Sequence, residues 1–273
     1  MNDIEDELSF EEDSYGHVKR VRSVTEWLEI FSRTAHSKEF SVLDYGCGVG
    51  DYLALPLALA GYTVTGWDIH CRSIDAAQKK HIYSNLSFTC ESIENMVRAN
   101  SYFDGVICSE VLEHVPNPSE HLTTIRDLLH ADGTVIVTVP NGYGPYEILR
   151  RASHIFSISG LNRFGSLIIR WLRKLIICPS SQPSEHRGSS TTLNVESGHI
   201  QLFTLRALYG LFEQADFQVV ASRGRTLICG PYADFVLRQA SRIVPQIYEL
   251  NCWLGDVLPM VFVSGWMFCL KRQ

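Results

Sequence analysis

The chain has 273 residues, is 45% hydrophobic and carries a net charge of −6, a composition that supports a full buried core and excludes a disordered or repetitive protein. Seven of its acids and none of its bases fall in residues 1–13, so the remainder is close to neutral and lacks the broad basic surface of a nucleic-acid binder. Eight cysteines are scattered without a paired metal-ligand spacing, no basic-then-apolar leader opens the chain, and no apolar run reaches the ~18 residues of a membrane span. A cytoplasmic protein is expected, with Cys47, Cys90 and Cys108 as reduced, buried small residues.

In chain order, residues 1–35 read as an acidic arm and a leading helix, with Val18, Val21, Val24, Trp27, Leu28 and Phe31 at helical spacing from about His17 to Ser32. A strand over 40–45 runs into a glycine-rich loop, and a helix over 53–60 carries Pro56 either in its first turn or at a kink. A second strand then ends at Asp68. The alternation continues with helix 72–81, strand 86–90, helix 92–98, strand 103–109, helix 119–130 and strand 134–140. Strands alternating with helices predict a doubly wound α/β protein whose mostly parallel sheet binds ligands at the carboxyl ends of its strands. Those ends carry Asp44, Asp68, Glu91 with Ser92, and Ser109 with Glu110.

Residues 148–198 interrupt this core of 36–147. Within them, 164–177 set Phe164, Leu167, Ile168, Trp171, Leu172, Leu175 and Ile176 on one helical face, with Arg170, Arg173 and Lys174 opposite. Three readings stand for this basic amphipathic insertion over 148–177: a helical lid over an apolar substrate, a peripheral contact with a membrane surface, or packing against the domain or a second subunit in a homodimer. The core resumes over 199–273, with helix 204–215, strand 217–221, helices within 233–254 broken at Pro245, and a last strand over 261–270.

The loop reads Val42-Leu-Asp-Tyr-Gly-Cys-Gly-Val-Gly-Asp51. Glycines at 46, 48 and 50 allow a sharp turn and close approach to a ligand. A dinucleotide fingerprint would place its third glycine at position 51, where this chain has an acid that would repel a phosphate. Asp68, 22 positions after Gly46, suits hydrogen bonds to a ribose diol. The spacing Asp44-x-Gly46-x-Gly48-x-Gly50 resembles the first motif of class I S-adenosylmethionine (SAM) methyltransferases. The run Phe103–Pro118 and the segment His199-Ile-Gln-Leu-Phe-Thr-Leu-Arg-Ala-Leu are similar to small-molecule members of that family, especially the ubiquinone-biosynthesis O-methyltransferases, and the resemblance covers roughly residues 40–225.

That resemblance implies a Rossmann-like seven-stranded sheet with strand seven antiparallel beside strand five. It also implies that Gly46, Gly48 and Gly50 line the methionine part of SAM, Asp44 faces its amino group, Asp68 holds the ribose hydroxyls, and Glu91 and Ser92 lie beside the adenine, with Ser109 at the next strand end. Glu110, Glu113 and His114 stand at i, i+3 and i+4, so one helical turn would place them on one face, able to hold a divalent cation such as Mg²⁺. The Glu-x-x-Glu-His pattern resembles the metal site of ubiquinone-biosynthesis enzymes and of small-RNA 2′-O-methyltransferases, the latter adding a later histidine, for which His199 is the candidate. Without a metal, Glu110 and Glu113 start a helix, and His114 or His199 serves as general base. Tyr143 and Tyr146 follow the fifth strand as candidate pocket residues. The leading expectation is O-methylation of a phenol, sugar or lipid-linked small molecule; an RNA-terminal 2′-O-methyltransferase and a non-catalytic SAM-binding module remain alternatives.

Overall fold

The central strands of the sheet are buried on both faces, whereas the two edge strands expose alternate residues. In the computed structural model, which describes residues 16–33, 40–144, 200–229 and 246–273, β1 (Ser41–Tyr45), β2 (Thr63–Trp67), β3 (Leu86–Thr89), β4 (Phe103–Ser109), β5 (Leu129–Pro140), β6 (Phe217–Gly224) and β7 (Gly265–Arg272) form one sheet. Their order is β3-β2-β1-β4-β5-β7-β6. Strands β1 to β5 pair in parallel, and β7 lies antiparallel between β5 and β6, as the resemblance implied. The acidic arm at 1–13, the insertion at 148–198, Tyr146 and His199 fall outside the described residues.

Alternate residues of each strand feed two separate cores. Val42, Ile107, Ile136 and Met267 face α1 (His17–Ser32), α2 (Ala54–Leu59) and α3 (Cys71–Lys80). Leu43, Val106, Cys108 and Phe268 face α4 (Ile93–Arg98), α5 (Pro118–Asp127) and α6 (Leu205–Gln214). A further helix, α7 (Gln246–Val257), buries Tyr248 and Cys252, and its Cys252 carbonyl accepts from Lys19 Nζ at 2.6 Å. Lys19 also pairs with Asp256 at 2.9 Å, which ties the leading helix to the C-terminal part of the chain.

Two strand boundaries and one cysteine differ from expectation. Strand β5 begins at Leu129 rather than Thr134, because Leu129 pairs with Phe103 before the register with β4 shifts. Strand β7 begins at Gly265, since Pro259 leads into a 3-10 turn over Met260–Phe262. Cys90 is not a reduced thiol but is joined to Cys71 by a disulfide, their Cα atoms 5.2 Å apart and 19 positions separated, a spacing with no local signature. Cys47 and Cys108 are free and buried. Among the described residues, no helix is long and apolar enough to cross a membrane.

Leu28 of α1 is 0% exposed and lies under β4, where a Cβ on Gly105 would sit 3.0 Å from its Cδ2. Leu28→Ala is therefore expected to cost about 2–5 kcal/mol, measured as a lowered urea midpoint. An unchanged midpoint would show that α1 does not pack on the sheet.

Candidate active site

The loop after β1 turns over the end of β2. Its backbone amides at Gly46 and Cys47 both donate to Trp67 O, at 2.7 and 2.9 Å, and Gly48 N donates to Asp68 Oδ2 at 2.8 Å. Gly46 and Gly50 each have a φ of 82°, in the left-handed region where a side chain is strained. A Cβ at Gly46 would lie 2.5 Å from Val111 Cγ2, and one at Gly50 would lie 2.5 Å from Phe88 Cε1. Glycine is required there by conformation and by space. Asp68 is 5% exposed, and its other oxygen accepts from His70 N at 2.8 Å, so the carboxylate is aimed by backbone on both sides of the loop.

Asp51 does not carry its charge alone. His81 Nε2 lies 2.7 Å and Lys80 Nζ 2.6 Å from its two oxygens. The exclusion of a pyrophosphate by Asp51 is thus weaker than its spacing implies, because that charge is matched at the end of α3.

Four more charged groups converge at the ends of β1, β4 and β6. Asp44 is buried, and burial pushes its pKa up to about 7, against the pull of the Ala54 amide and of Arg20. Glu110 follows β4 with a φ of 57°, and its Oε1 accepts from Thr138 Oγ1 at 2.8 Å while Oε2 accepts from Arg225 Nη1 at 2.8 Å. Arg20 of α1 approaches the same carboxylate at 3.9 Å and donates to His17 Nδ1 at 3.2 Å. Burial disfavours the Glu110 charge, yet Arg225, Arg20 and Thr138 outweigh it and hold its pKa below the usual range. Burial likewise opposes the charge on Arg225, and Glu110 more than restores it. Burial, with Arg20 and Arg225 adding to it, lowers His17 to about 3, which keeps the imidazole neutral.

The expected helical turn carrying Glu110, Glu113 and His114 does not form. The left-handed residue at 110 ends the strand, and only Leu112–His114 make a 3-10 turn. Glu113 is 1% exposed and makes no hydrogen bond through either carboxylate oxygen; burial first, and then the neighbouring Glu110, raise its pKa well above the usual carboxylate value. His114 Nε2 lies 3.9 Å from Glu113 Oε1. Among the described residues, no three His, Cys, Asp or Glu side chains converge to hold a metal ion. Both Glu110 oxygens are taken by the Arg225 guanidinium and the Thr138 hydroxyl, so the described donors do not fit the proposed Mg²⁺ set; His199, its fourth member, is outside the described residues.

The remaining expected residues lie around this centre. Ser109 Oγ is hydrogen-bonded to Thr138 Oγ1 at 2.9 Å. Glu91 and Ser92 are exposed beyond β3, with Glu91 O accepting from Trp67 Nε1 at 2.7 Å. Tyr143 is 56% exposed after β5. The residues not foreseen are Arg20 and Arg225, which are 8% and 3% exposed. The only sequence trace of Arg20 was a charged residue on the inward side of an amphipathic helix.

A methyltransferase-domain family model matches residues 17–222. The mitochondrial ubiquinone biosynthesis O-methyltransferase of Arabidopsis thaliana is 30% identical over 136 residues, which cover 48% of this chain and 38% of that protein. Its counterpart in Chromobacterium violaceum is 34% identical over 117 residues, covering 42% and 50%. The chain spans half or less of the length of these curated relatives. Among solved structures, the magnesium protoporphyrin IX methyltransferase of Synechocystis with bound SAH has a TM-score of 0.51 at 18% identity, over 94% of this chain and 84% of that one. A SAM-dependent methyltransferase of Archaeoglobus fulgidus has a TM-score of 0.51 at 17% identity, over 94% of each chain. At such identities the likeness is one of fold.

Removing one partner of a buried ion pair strands the other charge. Arg225→Met is expected to cost about 3–5 kcal/mol in denaturant unfolding, and adding Glu110→Gln to recover part of it. Additive losses in that double-mutant cycle would contradict the pairing.

Proposed function

The chain belongs to the methyltransferase-domain family, and we propose that it transfers the methyl group of SAM to a hydroxyl oxygen of a small molecule. The observation that carries this reading is the left-handed glycine loop closed onto Asp68 beside a buried cluster of opposite charges. Asp44 is assigned to the ammonium, and Arg20, whose guanidinium stands 3.9 Å from Glu110, to the carboxylate. Asp68 has lone pairs left for the ribose hydroxyls, and Glu91 and Ser92, exposed beyond β3, are assigned to the adenine. The two ubiquinone biosynthesis relatives are O-methyltransferases by name, which supports a small hydroxylated acceptor.

In the proposed reaction the acceptor oxygen attacks the methyl carbon in line with the sulfur, the O–CH₃ bond forms as the S–CH₃ bond breaks, and S-adenosylhomocysteine (SAH) leaves. The chain's main task is positioning, with removal of the hydroxyl proton by a base. His114 is assigned that role. Its side chain is 30% exposed at the turn after β4, 3.9 Å from Glu113 Oε1, so the imidazole can reach an acceptor in the adjoining space. Glu110 acts as the counter-ion that keeps Arg20 and Arg225 in place. No step is assigned to a metal ion.

Two outcomes test this reading. His114→Asn should lower methyl transfer to a phenolic acceptor about 100- to 10,000-fold while leaving the calorimetric SAH affinity unchanged; full activity would remove His114 as the base. An ammonium group favours ionised Asp44, whose pKa is raised to about 7. Affinity for SAH should therefore be full above pH 7 and weaken by up to about tenfold per unit below it. Asp44→Asn should flatten that dependence, and an unchanged slope would overturn the assignment.

A further inference from the structure

Two cysteines, one of them expected to be a reduced buried thiol, meet beside the residues assigned to the cofactor. Cys71 is the first residue of α3, three positions beyond Asp68, and Cys90 directly precedes Glu91. These are the two lips between which the adenosine would lie. They already touch: Asp68 N donates to Thr89 O at 3.3 Å, and Trp67 Nε1 donates to Glu91 O at 2.7 Å. The disulfide joins them covalently. The helices starting from the two lips, α3 and α4, have His70 and Ser92 as N-cap residues, and neither makes a side-chain capping hydrogen bond. Their first turns lack one of the usual restraints, and the covalent bond supplies another.

Thiol chemistry among the described residues is confined to this pair. Cys47, Cys108, Cys229, Cys252 and Cys269 are buried. Burial raises the thiols of Cys47, Cys108 and Cys269, the last to about 11, which disfavours the reactive thiolate. Cys71 is exposed and Cys90 half-buried, so a small thiol can reach the bond. Exposed disulfides are the labile ones.

We propose that Cys71–Cys90 is a reversible thiol–disulfide modification site that sets the affinity of the adenosine cradle, with a low-molecular-weight thiol of the glutathione class as its co-reactant. The proposal rests on the reading of residues 68–71 and 90–92 as that cradle. In reduction, the thiolate of one small thiol attacks Cys71 Sγ, and Cys90 leaves as a thiolate and takes up a proton. A second small thiol attacks the mixed disulfide, releasing the oxidised small-molecule disulfide, and Cys71 takes up a proton. Two electrons pass to the protein as two small thiols become one disulfide; oxidation by that disulfide runs the same steps backwards. In the oxidised protein the lips are held together before the ligand arrives. In the reduced protein, binding must order them and is weaker.

The test is calorimetric titration of SAH into the full chain after equilibration with excess oxidised or reduced glutathione, with the state of Cys71 and Cys90 read by alkylation and mass spectrometry. The dissociation constant should rise about three- to tenfold on reduction. Cys71→Ser and Cys90→Ser should each match the reduced protein and lose the response to glutathione; circular dichroism melting confirms that each folds, and the wild-type comparison stands without either. Equal SAH affinity in two states shown to differ in thiol content would overturn the switch and leave the cofactor reading intact. Failure of oxidised glutathione to form the disulfide would also overturn it. No SAH binding in either state would overturn the cofactor reading itself, and with it this proposal.

Discussion

Glu110 is a half-buried carboxylate, its side chain 27% exposed at the end of β4, and the surrounding fold is arranged so that its charge is met. Burying an ion costs several kcal/mol unless charged and hydrogen-bonding partners are built around it. Here they come from distant parts of the chain: Arg225 after β6, Thr138 on β5 and Arg20 on α1. The cluster forms only when α1 is docked on the sheet and β6 has paired with β7. It thereby links completion of the fold to completion of the site. With Asp44 beside Glu110, the two guanidinium groups face two carboxyl groups, so the cluster presents both signs of charge beside the glycine loop.

The glycine loop works with that cluster through geometry rather than charge. Val111, the residue after Glu110, occupies the space that a Cβ on Gly46 would need, and Phe88 of β3 does the same at Gly50. The loop is thus pressed between the turn that carries chemistry and the strand that leads to the adenosine lips. A shift of the β4 turn would be felt at Gly46, and a shift of β3 at Gly50. Methyl transfer by positioning depends on such rigidity, since misplacement of the reacting atoms by about 1 Å is costly.

Much of this architecture was legible in the residues. The alternation of strands with helices, the glycines at 46, 48 and 50, and Asp68 at the next strand end are local patterns, and local patterns survive in sequence. The misreadings share a cause. Spacing of 110, 113 and 114 fits a helical turn, but Glu110 takes a left-handed conformation that spacing cannot disclose. Asp51 looked like an unmatched acid because its partners, Lys80 and His81, lie about thirty positions away. Arg20 and Arg225 stayed hidden for the same reason, since their role is defined by a contact with Glu110 across the sheet. The Cys71–Cys90 pair depends on β2 and β3 being neighbours, which is a property of the fold.

The central claim is that this loop and its buried charges bind the amino-acid end of SAM. It is tested most directly by comparing SAH with 5′-methylthioadenosine, which keeps the adenosine and lacks the ammonium and carboxylate, in calorimetric titrations at pH 7.5. The account predicts that SAH binds at least about 100-fold more tightly, the worth of two charge-assisted contacts. Equal affinity for the two ligands would contradict it.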